Sequence, residues 1–269
     1  ENAEKLATDS SVNYLSFIGS AKVGWYLRSQ LSPGTRCALE HGGVAPVIVE
    51  KDAEIDNMLP ALLKGGFYHA GQVCVSVQKI FIHEDIVNDV SKKLAQMASK
   101  LIVGDPLDPS TEVGPLILPR EVDRVEQWVE EAVSGGGKLL CGGKRISDSC
   151  FEPTIILNPP QSAKVSTLEI FGPVVCIYSY HSREEAIKLA NALPTAFQAS
   201  VFTHNLDVAF DTVKKLNASA VMVNDHTAFR VDWMPFGGRD ASGIGTGGVP
   251  YSINEMTREK LIVIKSSSL

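Results

Sequence analysis

Short apolar runs of strand length alternate with longer helical patterns along nearly the whole chain, and this alternation restricts the fold more than any other feature. The pattern predicts strands over Tyr14 to Ile18, Arg36 to Leu39, Val47 to Val49, Gln78 to His83, Lys138 to Cys141, Val174 to Tyr180, Ser200 to Thr203 and Ala220 to Val223. Between them it predicts helices over Ala3 to Thr8, Ser20 to Leu31, Ile55 to His69, Glu84 to Leu101, Arg120 to Ser134, Arg183 to Ala192 and Leu206 to Leu216. Such an order implies an α/β fold with a mostly parallel sheet and flanking helices, whose ligands gather at the carboxyl ends of the strands. With 269 residues, 44% of them hydrophobic, the chain can bury one large core or two modest ones. The first β-α-β unit begins mid-pattern, so further strands of the same sheet are expected upstream of Glu1. A last apolar run, Leu261-Ile262-Val263-Ile264, reads as a strand with no helix after it. An exposed apolar edge invites pairing, so this run is expected to join a second copy in a dimer or tetramer.

The net charge of −6 is spread without a Lys/Arg-rich run, which argues against a nucleic-acid surface or a polybasic membrane patch. No apolar run reaches the roughly 20 residues of a membrane helix, and Glu1 to Lys5 lack the features of a signal peptide. Five cysteines with no CxxC pair and no His placed for a zinc knuckle suggest reduced thiols, no metal site and a cytoplasmic protein. A small molecule is the expected partner.

Two bends carry reactive groups. Cys74 follows Gly71-Gln72-Val73 at the exit of a predicted helix, where backbone amides could lower the thiol pKa and stabilise an oxyanion. A cysteine taken alone is more often a small buried hydrophobe, and Cys37, Cys141, Cys150 and Cys176 are read that way. Glu40 ends a strand and is followed by His41-Gly42-Gly43; desolvation there would raise its pKa toward that of a useful base, and otherwise it is a solvated loop residue. Three more junctions stand out: Phe17 to Gly24, with Ser20 at a helix start suited to phosphate; Glu169-Ile170-Phe171-Gly172-Pro173; and Pro235-Phe236-Gly237-Gly238. Each is also compatible with an ordinary cap or turn.

Taken together and in this order, the five stretches resemble the aldehyde dehydrogenase superfamily over nearly the whole chain. The resemblance implies NAD or NADP as cofactor and an aldehyde as substrate. It implies Cys74 as nucleophile and Glu40 as general base, with Gly19, Ser20 and Gly24 at the pyrophosphate turn. Glu169 would meet the nicotinamide ribose, Phe171 and the His41 backbone the nicotinamide, and Phe236 the aldehyde. The implied units are residues 1–41 as a remnant of the Rossmann-like cofactor domain, 42–250 as the catalytic domain and 251–269 as an oligomerisation arm. His41 departs from the aliphatic residue usual in the family and is expected to pack, and Val44 stands where Lys or Asn is frequent. Arg230 could hold an anionic end of the aldehyde or pair with Asp232. The implied reaction is oxidation to a carboxylic acid through a hydrolysed thioester. The alternatives are acyl transfer to CoA, which Glu40 disfavours, and a fragment that serves as a structural or interaction module.

Overall fold

The computed structural model describes residues 2–268. Its main sheet has seven strands in the order Ala220–Val223, Gln198–Phe202, Pro46–Val49, Lys79–His83, Val174–Tyr180, Thr154–Leu157 and Lys138–Cys141. All neighbours run parallel except the last pair. The central strands are continuous apolar runs because both faces of a parallel sheet are covered. Val47, Ile48, Ile80, Phe81 and Ile82 are all fully buried. Each such side chain contributes about 1.5–3 kcal/mol relative to exposure.

The long helices against the main sheet bury one apolar face each. Pro119–Ser134 begins with Pro at a position whose N–H needs no partner and buries Val122, Val125, Val129 and Ala132 on one face. Val87–Ala98 packs on Ile55–Phe67 and runs against Lys138–Cys141 and Thr154–Leu157. It starts three residues later than its pattern, because His83 to Ile86 form a turn closed by Ile86 N–H to His83 O at 3.0 Å.

A second sheet sits at the head of the chain. Tyr14–Ile18 and Arg36–Glu40 pair in parallel through the helix Ala21–Ser29, as the β-α-β pattern predicts. The third strand was not expected: Gly243–Ile244 returns antiparallel to Arg36–Glu40. Gly243 has φ +134°, and a Cβ there would lie 1.9 Å from Leu39 O, so only glycine allows this approach. The helix Val249–Met256 follows and reaches back as well, with Tyr14 Oη donating to Glu255 Oε2 at 2.9 Å. The expected division at residue 250 therefore does not describe this return, in which the segment from Gly243 to Arg258 reaches the first unit.

Two further readings differ from the structure. Thr154–Leu157 is a strand that was not anticipated, a short run between Pro153 and Pro159 that forms because it has neighbours on both sides. Leu261 to Ile264 is not a strand: it is 70–86% exposed and pairs with nothing among the described residues. Apolar alternation cannot make a strand without a ladder of hydrogen-bonding partners.

Candidate active site

The Cys74 bend is built by a helix that cannot continue. After Phe67 the backbone passes through three left-handed residues, His69 (φ 50°), Ala70 (φ 54°) and Gly71 (φ 69°). A Cβ on Gly71 would sit 2.1 Å from Gly172 O, so the bend lies directly against the turn that follows Glu169 and Phe171. Side-chain hydrogen bonds, several of them to distant segments, then lock it. Gln72 Nε2 donates to His69 O and Pro115 O, each at 3.2 Å, and Gln72 Oε1 accepts from Ile117 N–H at 2.9 Å. Ser76 Oγ donates to Gly65 O at 3.1 Å, and the buried Thr227 Oγ1 donates to Val75 O at 2.7 Å.

A cleft of about 690 Å³ brings together Gly19, Ser20, Glu40, Cys74, Glu169 and Phe171. Six positions spread over some 150 residues of sequence thus share one space. Arg124 and Trp128, absent from the sequence-based site, line it too. The Arg124 guanidinium lies 4.6 Å from the Trp128 ring centre and its Nη2 donates to Ile170 O at 2.7 Å. Only the i, i+4 spacing on one helix hinted at that pair.

The thiol of Cys74 is pushed up to about 11 by burial, and then by the carboxylates of Glu169 and Glu40. The backbone amide and Arg230 pull the other way but are the smaller effects. The backbone amide thus acts in the expected direction but is outweighed: in this state desolvation and two acids hold the proton on sulfur.

Glu40 sits at the end of its strand, half-buried, with its pKa raised by desolvation and eased by Arg230. A Cβ on Gly247 would lie 2.8 Å from Glu40 Oε1, so the returning Gly-rich segment forms one wall around the carboxylate. Glu169 is desolvated further: burial raises its pKa from 4.5 to about 7, partly offset by Arg124. Its Oε1 is buried without a hydrogen-bond partner and packs over Gly42, where an added Cβ would meet it at 1.6 Å. Phe171 has φ +49° and is 40% exposed, held open at the rim.

The remaining predicted residues are not among those that line this cleft. Gly24 is buried, and a Cβ there would meet His41 Cε1 at 2.0 Å, so it serves the packing of His41. His41 is 1% exposed between Phe17 and Trp25, with Nδ1 bonded to Gly19 O at 3.0 Å and Nε2 without a partner. Arg230 makes no ion pair with Asp232; its guanidinium stacks 4.0 Å from the Phe236 ring centre, and Phe236 packs on Phe197. No group of three or more His, Cys, Asp or Glu suited to a metal occurs among the described residues. No helix among them is long and apolar enough to cross a membrane.

The sequence pattern of the Aldehyde dehydrogenase family matches residues 1–262. The chain belongs to the aldehyde dehydrogenase family. This aldehyde dehydrogenase chain is 39% identical over 264 residues to a 3-sulfolactaldehyde dehydrogenase of Priestia aryabhattai, covering 98% of this chain and 55% of that protein. It is 40% identical over 261 residues to a lactaldehyde dehydrogenase of Methanocaldococcus jannaschii, covering 97% and 56%. Among solved structures, glyceraldehyde-3-phosphate dehydrogenase of M. jannaschii complexed with NADP superposes with a TM-score of 0.91 at 39% identity, covering 94% of this chain and 55% of the other. Betaine aldehyde dehydrogenase of Staphylococcus aureus with NAD+ gives 0.90 at 30% identity, covering 95% and 52%. The chain spans about half the length of the curated relatives it matches. The α/β fold read from the alternating pattern is the fold of these aldehyde dehydrogenases.

Proposed function

We propose that this chain supplies the nucleophile, the base and the nicotinamide side of an NAD(P)-dependent oxidation of aldehydes to carboxylic acids. The observation that carries the reading is the convergence of Cys74, Glu40 and Glu169 on one cleft. The residues present fit a dinucleotide. Glu169 offers a buried oxygen with no partner, which suits a ribose hydroxyl, and Ser20 heads the helix Ala21–Ser29 with its side chain free of any capping bond.

Cys74 gives its proton to solvent water and its sulfur adds to the aldehyde carbon, with the Cys74 backbone N–H available to the oxyanion. The bound dinucleotide supplies the acceptor for the hydride that leaves that carbon. A thioester on Cys74 remains. Glu40 takes a proton from water, the hydroxyl adds to the thioester carbon, and the Cys74 sulfur departs and recovers a proton as the acid is released. Half-burial and a raised pKa suit Glu40 to this proton transfer, and its presence favours water over CoA as acceptor.

The relatives named for 3-sulfolactaldehyde and lactaldehyde support a small polar aldehyde as substrate. Arg230 acts electrostatically on both Cys74 and Glu40 and has no carboxylate partner among the described residues, so it is assigned to an anionic end of that substrate. Leu261 to Ile264, exposed and apolar, are assigned to pairing with a second copy, and five free cysteines fit a reducing, cytoplasmic setting.

Stopped-flow kinetics on two variants test the mechanism. Cys74→Ala abolishes the acyl-enzyme, whereas Glu40→Gln keeps a first-turnover burst of NAD(P)H and slows the steady state. Unimpaired turnover in both variants would overturn it.

A further inference from the structure

The segment Glu169 to Phe171 has no regular secondary structure, yet it holds a desolvated carboxylate and a left-handed non-glycine residue. Strain and burial of this kind persist only where neighbours over-determine the backbone. Gln78 supplies the supports. It is 5% exposed and lies four residues after Cys74, at the entrance to the strand Lys79–His83. Its Nε2 donates to Val165 O at 3.1 Å and to Leu168 O at 2.7 Å, and its Oε1 accepts from Ile170 N–H at 2.9 Å. Both amide protons and the carbonyl oxygen are thus matched to backbone groups, which fixes the orientation of the amide. Arg124 Nη2 holds the other side of the same residue through Ile170 O at 2.7 Å. The neighbouring Lys79 Nζ anchors the floor through Ser166 O at 3.0 Å.

We infer that Gln78 is the positioning residue that holds Glu169 over Gly42, facing the nucleophile, by clamping the backbone on both sides of it. No shorter or acceptor-only side chain reproduces two donors and one acceptor at this reach. The inference deepens the proposed function, because it names the device that keeps the cofactor-side acid in the cleft, but its geometry stands without any cofactor. The charged groups that act on Cys74 are Glu169, Glu40 and Arg230, with the Tyr68 hydroxyl also coupled to it, and Arg124 acts on Glu169. Of these, Glu169 is the strongest influence on Cys74 after burial.

The test is alkylation of Cys74 by iodoacetamide across pH 6–10, followed by mass spectrometry of the Cys74 peptide. Glu169→Gln removes the charge and lowers the Cys74 pKa, so the alkylation rate at pH 8 rises several-fold. Gln78→Met releases the segment, lets Glu169 reach solvent and gives a similar rise. The double variant reacts no faster than either single one, because both act through the same carboxylate. Wild-type kinetics in a folded Gln78→Met protein overturn the inference, and so does a double variant whose rate is the product of the two. If Gln78→Met does not fold, Gln78→Asn, uncharged and one methylene too short to reach the same three backbone groups, is read by the same criteria. Alkylation requires neither aldehyde nor dinucleotide, so failure of the enzymatic reading and failure of this one are separable.

Discussion

Replacing Gly24 by Ala sets two effects of known size against each other. Gly24 lies within the helix Ala21–Ser29, where Gly→Ala gains about 1 kcal/mol from helix propensity. The new Cβ would fall 2.0 Å from His41 Cε1, 2.5 Å from Nε2 and 3.0 Å from Phe17 Cδ1. Non-bonded carbons settle at about 3.5–4.0 Å, so the ring must move. It has nowhere to go: His41 is 1% exposed, and its ring centre lies 6.0 Å from that of Phe17 and 5.7 Å from that of Trp25. Overpacking of this kind costs about 1–3 kcal/mol, and losing the Nδ1 bond to Gly19 O costs about 1 more. The clash wins, and Gly24→Ala destabilises the chain by about 1–3 kcal/mol, a fall in Tm of roughly 5 °C for a chain of this size. Thermal and urea unfolding followed by circular dichroism measure it. The pair Gly24→Ala and His41→Ala should couple by at least about 1 kcal/mol in a double-mutant cycle, because the added methyl enters space the ring has left. A Gly24→Ala chain as stable as wild type, or one whose loss adds independently to that of His41→Ala, would refute the packing role assigned to this glycine.

Two other outcomes follow from the electrostatics of the cleft. Glu169 has its folded pKa raised from 4.5 to about 7, so its contribution to stability is intact below pH 4.5 and is lost as pH rises through 7. Glu169→Gln removes that loss: the variant should match wild type near pH 4 and gain up to about 3 kcal/mol relative to it at pH 8, read from urea unfolding at both pH values. Arg230→Ala removes a cation that lowers the Glu40 pKa, so the acid limb of the kcat/KM profile should move to higher pH. The same variant should lose more activity on anionic than on neutral aldehydes, and equal losses would remove Arg230 from substrate binding.

The chain order of strands and helices was legible because each element carries its own period, and the buried runs Val47 to Val49 and Ile80 to Ile82 announce central parallel strands. The reactive bends were legible for a related reason: Gly71 and Gly42 mark places where backbone or a carboxylate comes too close for a side chain, and the structure shows those approaches at Gly172 O and Glu169 Oε1. Strand pairing was not written so locally. Thr154–Leu157 became a strand and Leu261 to Ile264 did not, because a ladder depends on what lies alongside and not on the run itself.

The sequence by itself therefore determined the fold class and the family, and it pointed to Cys74 and Glu40 as the proposed nucleophile and base, since these rest on residue types at fixed local spacing. Only the tertiary structure decided how that pair is tuned. The Cys74 proton is held by burial and by Glu169, nearly a hundred residues away in sequence. Glu169 is seated by Gln78 and Arg124, Glu40 is walled by a return of the chain at Gly247, and His41 dictates Gly24. Desolvation and long-range hydrogen bonds depend on which surfaces meet, and a linear pattern does not contain that information.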